Sequence, residues 1–358
     1  MGPRPRFGSL VEGWRGLAAF WLAILLLLAG GGVTLQMLGP PPPIGTAGVQ
    51  VAVTRQPAPA KPAPPQPAPP PAAEPLRIPQ PGRDTPGPVA DPDPALLEPV
   101  KLGAVDLLPT VAPDGRMPMQ VYAAGFDRSS RRTRIGLVLA GVGLNQADSE
   151  AAIRSLPSGV TLAISPYATN PGKLLAAARL REHEYLLSIP MEPQGFPLND
   201  PGPRALMTSL TPDENQERLN WALSRIAGYV GATGALSGLR GERFAGMRDQ
   251  MTPVLSVMAE RGLLYIDPRP GAAPLPYVWE RSVDVVIDEP PEAARIEDRL
   301  GQLVRVAREK GSALGLAGTV RPVTTDRIAV WANGLAADGL ALAPVSALVQ
   351  PPVAGIPK

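Results

Sequence analysis

The distribution of proline restricts the folding of this chain more than any other feature. Of the 47 prolines in 358 residues, 21 fall between Gly39 and Val100, in low-complexity sequence such as PAPAKPAPPQPAPPPAAEP. Such sequence favours an extended polyproline II backbone and does not bury a hydrophobic core. We therefore predict a disordered linker over residues 39–100, which leaves about 220 residues for one large domain.

The segment before this linker is apolar and follows a basic N-terminus. Leu17–Leu38 carries no charge, whereas residues 1–16 contain Arg4, Arg6 and Arg15. A helix of this length, with a rise of ~1.5 Å per residue, is long enough to cross the ~30 Å hydrocarbon layer of a membrane. Arginine before the span predicts a cytoplasmic N-terminus and a domain on the other side of the membrane.

A cleaved signal peptide is the alternative interpretation of the same segment. Leu17–Leu28 has the length of a signal-peptide apolar region, and Ala29–Gly31 is a small-residue site where cleavage is possible. The apolar span continues to Leu38 and lacks an Ala-x-Ala site. These two features favour an uncleaved transmembrane helix.

Composition excludes several classes of function. The formal net charge is only +2, and we interpret the basic run Arg128, Arg131, Arg132 and Arg134 as a solvated connector rather than a nucleic-acid surface. The chain has no cysteine and one histidine, His183. Thiolate chemistry is therefore excluded, as is an ordinary hydrolytic zinc site, which needs at least two imidazoles with a carboxylate.

The remaining sequence alternates between short apolar runs and helical patterns. Residues 101–132 form a mixed lead-in, residues 133–350 carry the alternation, and residues 351–358 are a tail. The predicted strands are 135–140, 160–165, 185–189, 263–267, 282–288, 313–318 and 340–345. Strands that alternate with helices predict a parallel sheet. About seven such units favour a distorted (β/α) barrel over an open sheet, with the functional loops at the strand C-termini.

Several motifs make a family resemblance recognisable. They are LVLAGVGLN at 137–145, LSIPMEP at 187–193, NDPGP at 199–203, GERF at 241–244, DPR at 267–269 and GTVRPVT at 318–324. Over about residues 115–347 the chain resembles the divergent polysaccharide deacetylase family of bacterial envelope proteins. The resemblance implies a NodB-like barrel related to carbohydrate esterases that remove acetyl groups from amino sugars. It also implies a periplasmic domain anchored in the bacterial inner membrane.

The same resemblance implies a divalent metal such as zinc, whose ligands this chain lacks. Metal-binding relatives end the first strand with two aspartates, and three histidines follow in later motifs. The corresponding positions here are Ala140, Gly141, Ser188, Leu239 and Thr319. We therefore assign no catalytic residue, no metal and no cofactor to the chain, and we predict a pseudoenzyme.

A set of polar and aromatic residues remains as candidate ligand-binding positions. They are Glu192, Asp200, Arg243, Asp267, Arg269, Trp279 and Asp288. Carboxylates at strand ends can bind a hard cation through oxygen or act as an acid–base pair. They can equally cap turns, accept backbone N–H groups or pair with arginine, and the second interpretation is favoured. His183 is expected to cap helix carbonyls.

Three functions remain open at this level. The favoured one is a metal-free, membrane-tethered barrel that binds peptidoglycan or another envelope glycan, or an envelope protein. The second is an active deacetylase or hydrolase with a non-standard carboxylate site, and the third is a purely scaffolding envelope protein. Sugar rings stack on aromatic faces, and Trp279, in a loop close to Tyr277, is the best candidate for such stacking.

Overall fold

A parallel β-sheet organises the larger part of the chain. The computed structural model describes residues 20–25, 87–100, 107–127 and 129–353. By its contacts the chain divides into two units, Met1–Pro75 and Leu76–Lys358. The second unit contains the sheet.

The first unit holds the expected membrane span. Residues 20–25 are helical, and the rest of Leu17–Leu38 lies outside the described residues. Phe20, Trp21, Leu22 and Leu25 are exposed. Among the residues that the structure describes, no helix is both long and apolar enough to cross a membrane.

The second unit begins with a small hairpin and continues as alternating strands and helices. The strands are β1 (Leu97–Pro99), β2 (Leu107–Pro109), β3 (Thr133–Val142), β4 (Val160–Ile164), β5 (Tyr185–Ser188), β6 (Gly231–Thr233), β7 (Leu264–Asp267), β8 (Glu280–Ser282), β9 (Val285–Val286), β10 (Ser312–Ala317) and β11 (Leu340–Leu342). The helices are α1 (Pro118–Val121), α2 (Gln146–Ser155), α3 (Pro171–Leu180), α4 (Pro212–Leu223), α5 (Glu242–Ala245), α6 (Arg248–Glu260), α7 (Ala293–Lys310) and α8 (Pro322–Gly334).

The large sheet is entirely parallel and curls on itself. Its strand order is β8-β7-β6-β5-β4-β3-β10-β9, and β11 pairs in addition with the first residues of β3. The edge strands β8 and β9 are separated in sequence only by Val283 and Asp284. The N–H of Val283 donates to the carbonyl of Asp267 (2.9 Å), and the N–H of Asp284 donates to that of Leu314 (2.8 Å). Residues 283–284 are thus hydrogen-bonded to both β7 and β10, near the two edges of the sheet. This connection gives the α/β sheet a barrel-like form.

Alternate residues of the strands fill two separate cores, because successive side chains point to opposite faces of a sheet. One buried cluster includes Val138 and Ala140 of β3 with Leu314 and Leu316 of β10, and lies on the concave side. The other cluster contains Ile135, Leu137 and Leu139 of β3, together with the apolar faces of the helices. This two-sided burial explains why the strands read as continuous apolar runs.

The lead-in and the C-terminal segment pack at the N-terminal end of the sheet. Glu184, fully buried just before β5, accepts hydrogen bonds from the N–H of Ala124 (3.0 Å) and from the N–H (3.0 Å) and hydroxyl of Ser346. One buried carboxylate therefore joins both segments to the sheet. Its neighbour His183 places Nδ1 2.9 Å from the Val160 carbonyl oxygen and Nε2 3.1 Å from that of Ile153, and burial lowers its pKa. The His183 side chain thus contacts α2 and β4, and its backbone N–H donates to the carbonyl of Ala178 near the end of the preceding helix (2.9 Å).

Three predicted elements differ from the structure. The end of the predicted linker is ordered, since Leu96 is fully buried and β1 pairs with β2. The predicted strand 282–288 is two short strands, because the chain changes partner from β7 to β10 within it. Strand β6 was missed because Gly231–Thr233 is only three small residues long.

Candidate functional site

A tight turn lies at the C-terminal end of the barrel-like sheet, where the family resemblance places the metal site. Leu236 and Leu239 exchange backbone hydrogen bonds of 2.9 and 3.1 Å, which close a turn after β6. Ser237 within this turn has a positive φ of 54°. Its Oγ lies 3.3 Å from Oγ1 of Thr319, which follows β10 on the other side of β3.

The turn packs directly against the end of β3. Gly141 has φ 78°, and a Cβ atom added there would lie 3.4 Å from the Cα of Ser237. A Cβ added to Gly318 would lie 3.3 Å from the Cα of Gly238. Backbone from three different loops therefore meets where metal-binding relatives are expected to carry carboxylates.

The five positions that correspond to metal-site residues hold no ligand set. Ala140 is buried in the concave core, and Leu239 belongs to the turn. Ser188 is fully buried, and its hydroxyl has no hydrogen-bond partner within the described residues. In the same part of the chain, no group of three His, Cys, Asp or Glu side chains is close enough to hold a metal ion. The residues that are present do not fit the zinc implied by the resemblance.

The carboxylate of Asp288 accepts hydrogen bonds from two backbone amides. Its Oδ1 accepts the N–H of Gly318 (2.8 Å) and its Oδ2 accepts the N–H of Thr319 (3.1 Å). Burial raises the pKa of this carboxyl, and the two amide donors oppose that shift. Asp288 thereby fastens the loop after β10 to the segment after β9.

Two other candidate carboxylates are each paired with a nearby arginine. Asp267 is fully buried and binds Arg269 through two hydrogen bonds, from Nε to Oδ1 (2.9 Å) and from Nη2 to Oδ2 (2.6 Å). The hydrogen bonds to this carboxylate raise the pKa of Arg269. Glu192 receives Nη1 of Arg243 (3.1 Å) on one oxygen and the N–H and hydroxyl of Thr208 on the other.

The remaining candidate carboxylate, Asp200, and Glu289, which follows Asp288 in the chain, lie in separate loops. Oδ1 of Asp200 accepts the N–H of Gly202 (2.8 Å) and closes the turn of the Asp-Pro-Gly-Pro motif. Glu289 pairs with Arg240 at 2.6 Å. Each carboxylate therefore has its own local partner, and the described set does not converge on one site.

Trp279 lies apart from these residues. It precedes β8, and its carbonyl accepts the N–H of Tyr265 near the start of β7. Glu192, Asp267 and Asp288 instead lie at or beyond the C-terminal ends of their strands. In a parallel sheet these are opposite ends, so the backbone of Trp279 lies toward the other end of the sheet from these carboxylates.

A different pair of aromatic residues lies beside the loops that follow the C-terminal ends of the strands. Tyr167 follows β4, and its ring centroid is 5.4 Å from that of Trp221 on α4. The guanidinium carbons of Arg204 and Arg225 lie 5.8 and 5.7 Å from the centroid of Trp221. The Tyr167 hydroxyl also accepts the N–H of Arg204 (3.2 Å), next to the Asp-Pro-Gly-Pro motif. Trp221 also packs against the outer core. The pair was not predicted from the sequence, because Tyr167 lies far from Trp221 in the chain.

Comparison with known proteins identifies the family of this domain. A family model described as divergent polysaccharide deacetylase matches residues 137–349. The crystal structure of an uncharacterized protein from Agrobacterium tumefaciens C58 is 33% identical, with a TM-score of 0.62, over 68% of this chain and 99% of that chain. Curated protein sequences give no match.

Two further solved structures have lower similarity. A family 4 carbohydrate esterase from Streptomyces lividans, in complex with acetate, has 16% identity and a TM-score of 0.40, over 63% of this chain and 98% of that chain. The catalytic domain of a peptidoglycan N-acetylglucosamine deacetylase from Eubacterium rectale has 11% identity and a TM-score of 0.35, over 63% and 93%.

The left-handed backbone conformation of Gly141, at the end of β3, can be tested by mutation. Gly141→Ala is expected to lower the free energy of unfolding by about 1–2 kcal/mol, because a Cβ is unfavourable at positive φ. The matched control is Gly172→Ala on α3, where a Cβ meets nothing within 4 Å and should stabilise by about 0.4–1 kcal/mol. Denaturant unfolding of both variants measures the difference. Equal stability of the Gly141 variant and the parent would contradict this geometry.

Proposed function

Because the chain belongs to the divergent polysaccharide deacetylase family, we propose that it is a metal-free member that binds an envelope glycan such as peptidoglycan without hydrolysing it. The main support for the proposal is the turn Leu236–Leu239, which packs against Gly141 and Gly318 at the C-terminal end of the sheet. Relatives with a metal would need that space for aspartate side chains.

The chemistry of deacetylation supports the absence of hydrolysis. A metal-dependent esterase uses its cation to activate water and to stabilise the oxyanion. Ala140 and Gly141 have no side-chain group that accepts a proton or binds a cation. The alternative, a carboxylate-only site, needs two carboxyl groups that face one substrate, whereas Asp267 and Asp288 bind Arg269 and backbone amides.

The aromatic pair Tyr167–Trp221 supports glycan binding. Its rings are only partly buried, and Arg204 and Arg225 place positive charge beside them. An aromatic face offers apolar area to a sugar ring, and adjacent guanidinium groups donate hydrogen bonds to hydroxyl or carboxylate oxygens. This combination favours a glycan over a purely scaffolding role.

The proposed location is the bacterial inner membrane, with one N-terminal span and a periplasmic domain. The uncharged segment Leu17–Leu38 and the arginines that precede it support this arrangement. The proline-rich sequence after this segment is of the kind that keeps a domain away from a membrane.

The first prediction concerns catalysis. The purified chain should release no acetate from N-acetylglucosamine oligomers or peptidoglycan, with or without added zinc, and elemental analysis should find no stoichiometric transition metal. Acetate release that is abolished by Asp288→Asn, and retained in the exposed control Asp298→Asn, would show that a carboxylate site is active and would overturn the proposal.

The second prediction concerns the glycan surface. Trp221→Leu keeps an apolar residue on α4 but removes the stacking face, and should weaken sedimentation with purified peptidoglycan about three- to tenfold. Trp279→Leu is the matched control and should bind like the parent, because Trp279 lies at the other end of the sheet. Thermal unfolding checks that both variants are folded. A parent chain that does not bind any envelope glycan would favour the scaffolding role.

The third prediction concerns location. A reporter enzyme that is active only in the periplasm, fused after Lys358, should be active. Leu25→Arg should reduce insertion, since a central arginine costs about 2.5–3.5 kcal/mol on insertion scales, whereas Leu25→Ile should not. A mature chain that begins near Gly32 and washes off membranes would instead establish a cleaved signal peptide.

A further inference from the structure

The connection between β7 and β8 lacks the kind of helix that covers the sheet elsewhere. Within residues 133–342, each other connection between parallel strands contains at least one helix, except the two-residue link between β8 and β9. Residues 268–279 instead form an irregular segment with four prolines. Crossover helices normally cover the faces of a parallel sheet, and here a groove remains between the irregular segment and α6. We call it the α6 groove.

Apolar side chains form most of the wall of the α6 groove, whose volume is about 320 Å³. They come from both sides: Met251 and Leu255 of α6, with Pro274, Leu275, Pro276 and Tyr277 of the irregular segment. Met251 and Leu255 belong to the outer core, and Leu275 and Tyr277 pack against it. The core therefore holds both walls in place before any ligand binds, which lowers the entropic cost of binding.

The polar part of the groove contains a cation that no acid pairs. Arg248, Thr252 and Arg269 line it, and no Asp or Glu is among the described residues of its wall. Asp267 occupies Nε and Nη2 of Arg269, so that guanidinium is already paired. Arg248 is exposed and forms no ion pair with any residue that the structure describes. Its neighbour Asp249 lines a separate depression between α4 and α6.

These features select the chemistry of a ligand. One unpaired guanidinium matches one carboxylate through paired hydrogen bonds, and the hydroxyl of Thr252 is a further donor. The volume lies at the lower end of the range of small-molecule sites. At ~30 Å³ per water-sized group, it holds roughly ten such groups. We propose that the α6 groove binds a small monocarboxylate with an apolar body, whose carboxylate pairs with Arg248.

The binding experiment uses the full chain and two carboxylates of suitable size. Ligand-detected nuclear magnetic resonance measures the binding of N-acetyl-leucine, which resembles the C-terminal residue of a peptide, and of hexanoate, which resembles a short fatty acid. Each has a neutral twin, N-acetyl-leucinamide or hexanamide. The parent chain should bind at least one carboxylate about tenfold or more tightly than its neutral twin, because only the carboxylate pairs with Arg248.

Three variants locate the site. Arg248→Gln keeps a polar side chain without the charge, and should weaken carboxylate binding about tenfold while leaving amide binding within about twofold. Ala273→Trp adds a large ring to an exposed part of the groove wall and should weaken the binding of carboxylate and amide alike. Arg295→Gln, on the exposed side of α7, makes the same change in charge outside the groove and should leave affinity within about twofold.

The outcomes separate the sources of the carboxylate and test the site itself. Binding of N-acetyl-leucine alone supports a peptide C-terminus, binding of hexanoate alone supports a fatty acid, and binding of both supports their shared chemistry. Thermal unfolding confirms that the variants are folded. The proposal is overturned if neither carboxylate binds the parent more tightly than its amide, if Arg248→Gln or Ala273→Trp binds like the parent, or if Arg295→Gln loses as much affinity as Arg248→Gln.

Discussion

The hydrogen bonding of one short segment to two distant strands shapes this domain. Val283 is hydrogen-bonded to β7 and Asp284 to β10. Residues 280–288 therefore provide backbone partners for the strands near both edges of the sheet. Without this segment, each edge would expose a row of unpaired N–H and C=O groups. Two of its acids strengthen the attachment to β10, since Asp284 accepts the N–H of Leu314 and Asp288 accepts those of Gly318 and Thr319.

Apolar packing on both faces of the sheet holds this domain together. The concave core and the outer core are formed by apolar side chains, and the carboxylates near the C-terminal end of the sheet bind arginine or backbone. Hydrophobic burial of this extent is the dominant stabilising term in folding.

Much of the strand pattern and some of the carboxylate pairing was predictable from sequence. Apolar runs such as 135–140 and 313–318 identify strands because both faces of the sheet are covered. The Asp267–Arg269 pair was anticipated as one of several options, since the two residues are neighbours in sequence. Strand β6 was not predictable, because three small residues carry no periodic signal. The contacts of Trp221 with Tyr167 and Arg204 were not predictable either, because these partners lie far away in the chain.

By itself the sequence determined the parallel α/β class, the family and the absence of a zinc ligand set, because these depend on residue type and local pattern. Only the tertiary structure decided which residues meet. It separated the backbone of Trp279 from the carboxylates, packed Ser237 against Gly141 and placed Arg248 and Leu275 along one groove. The physical reason is that chain crossovers bring distant residues together, and their register is set by packing and pairing across the sheet.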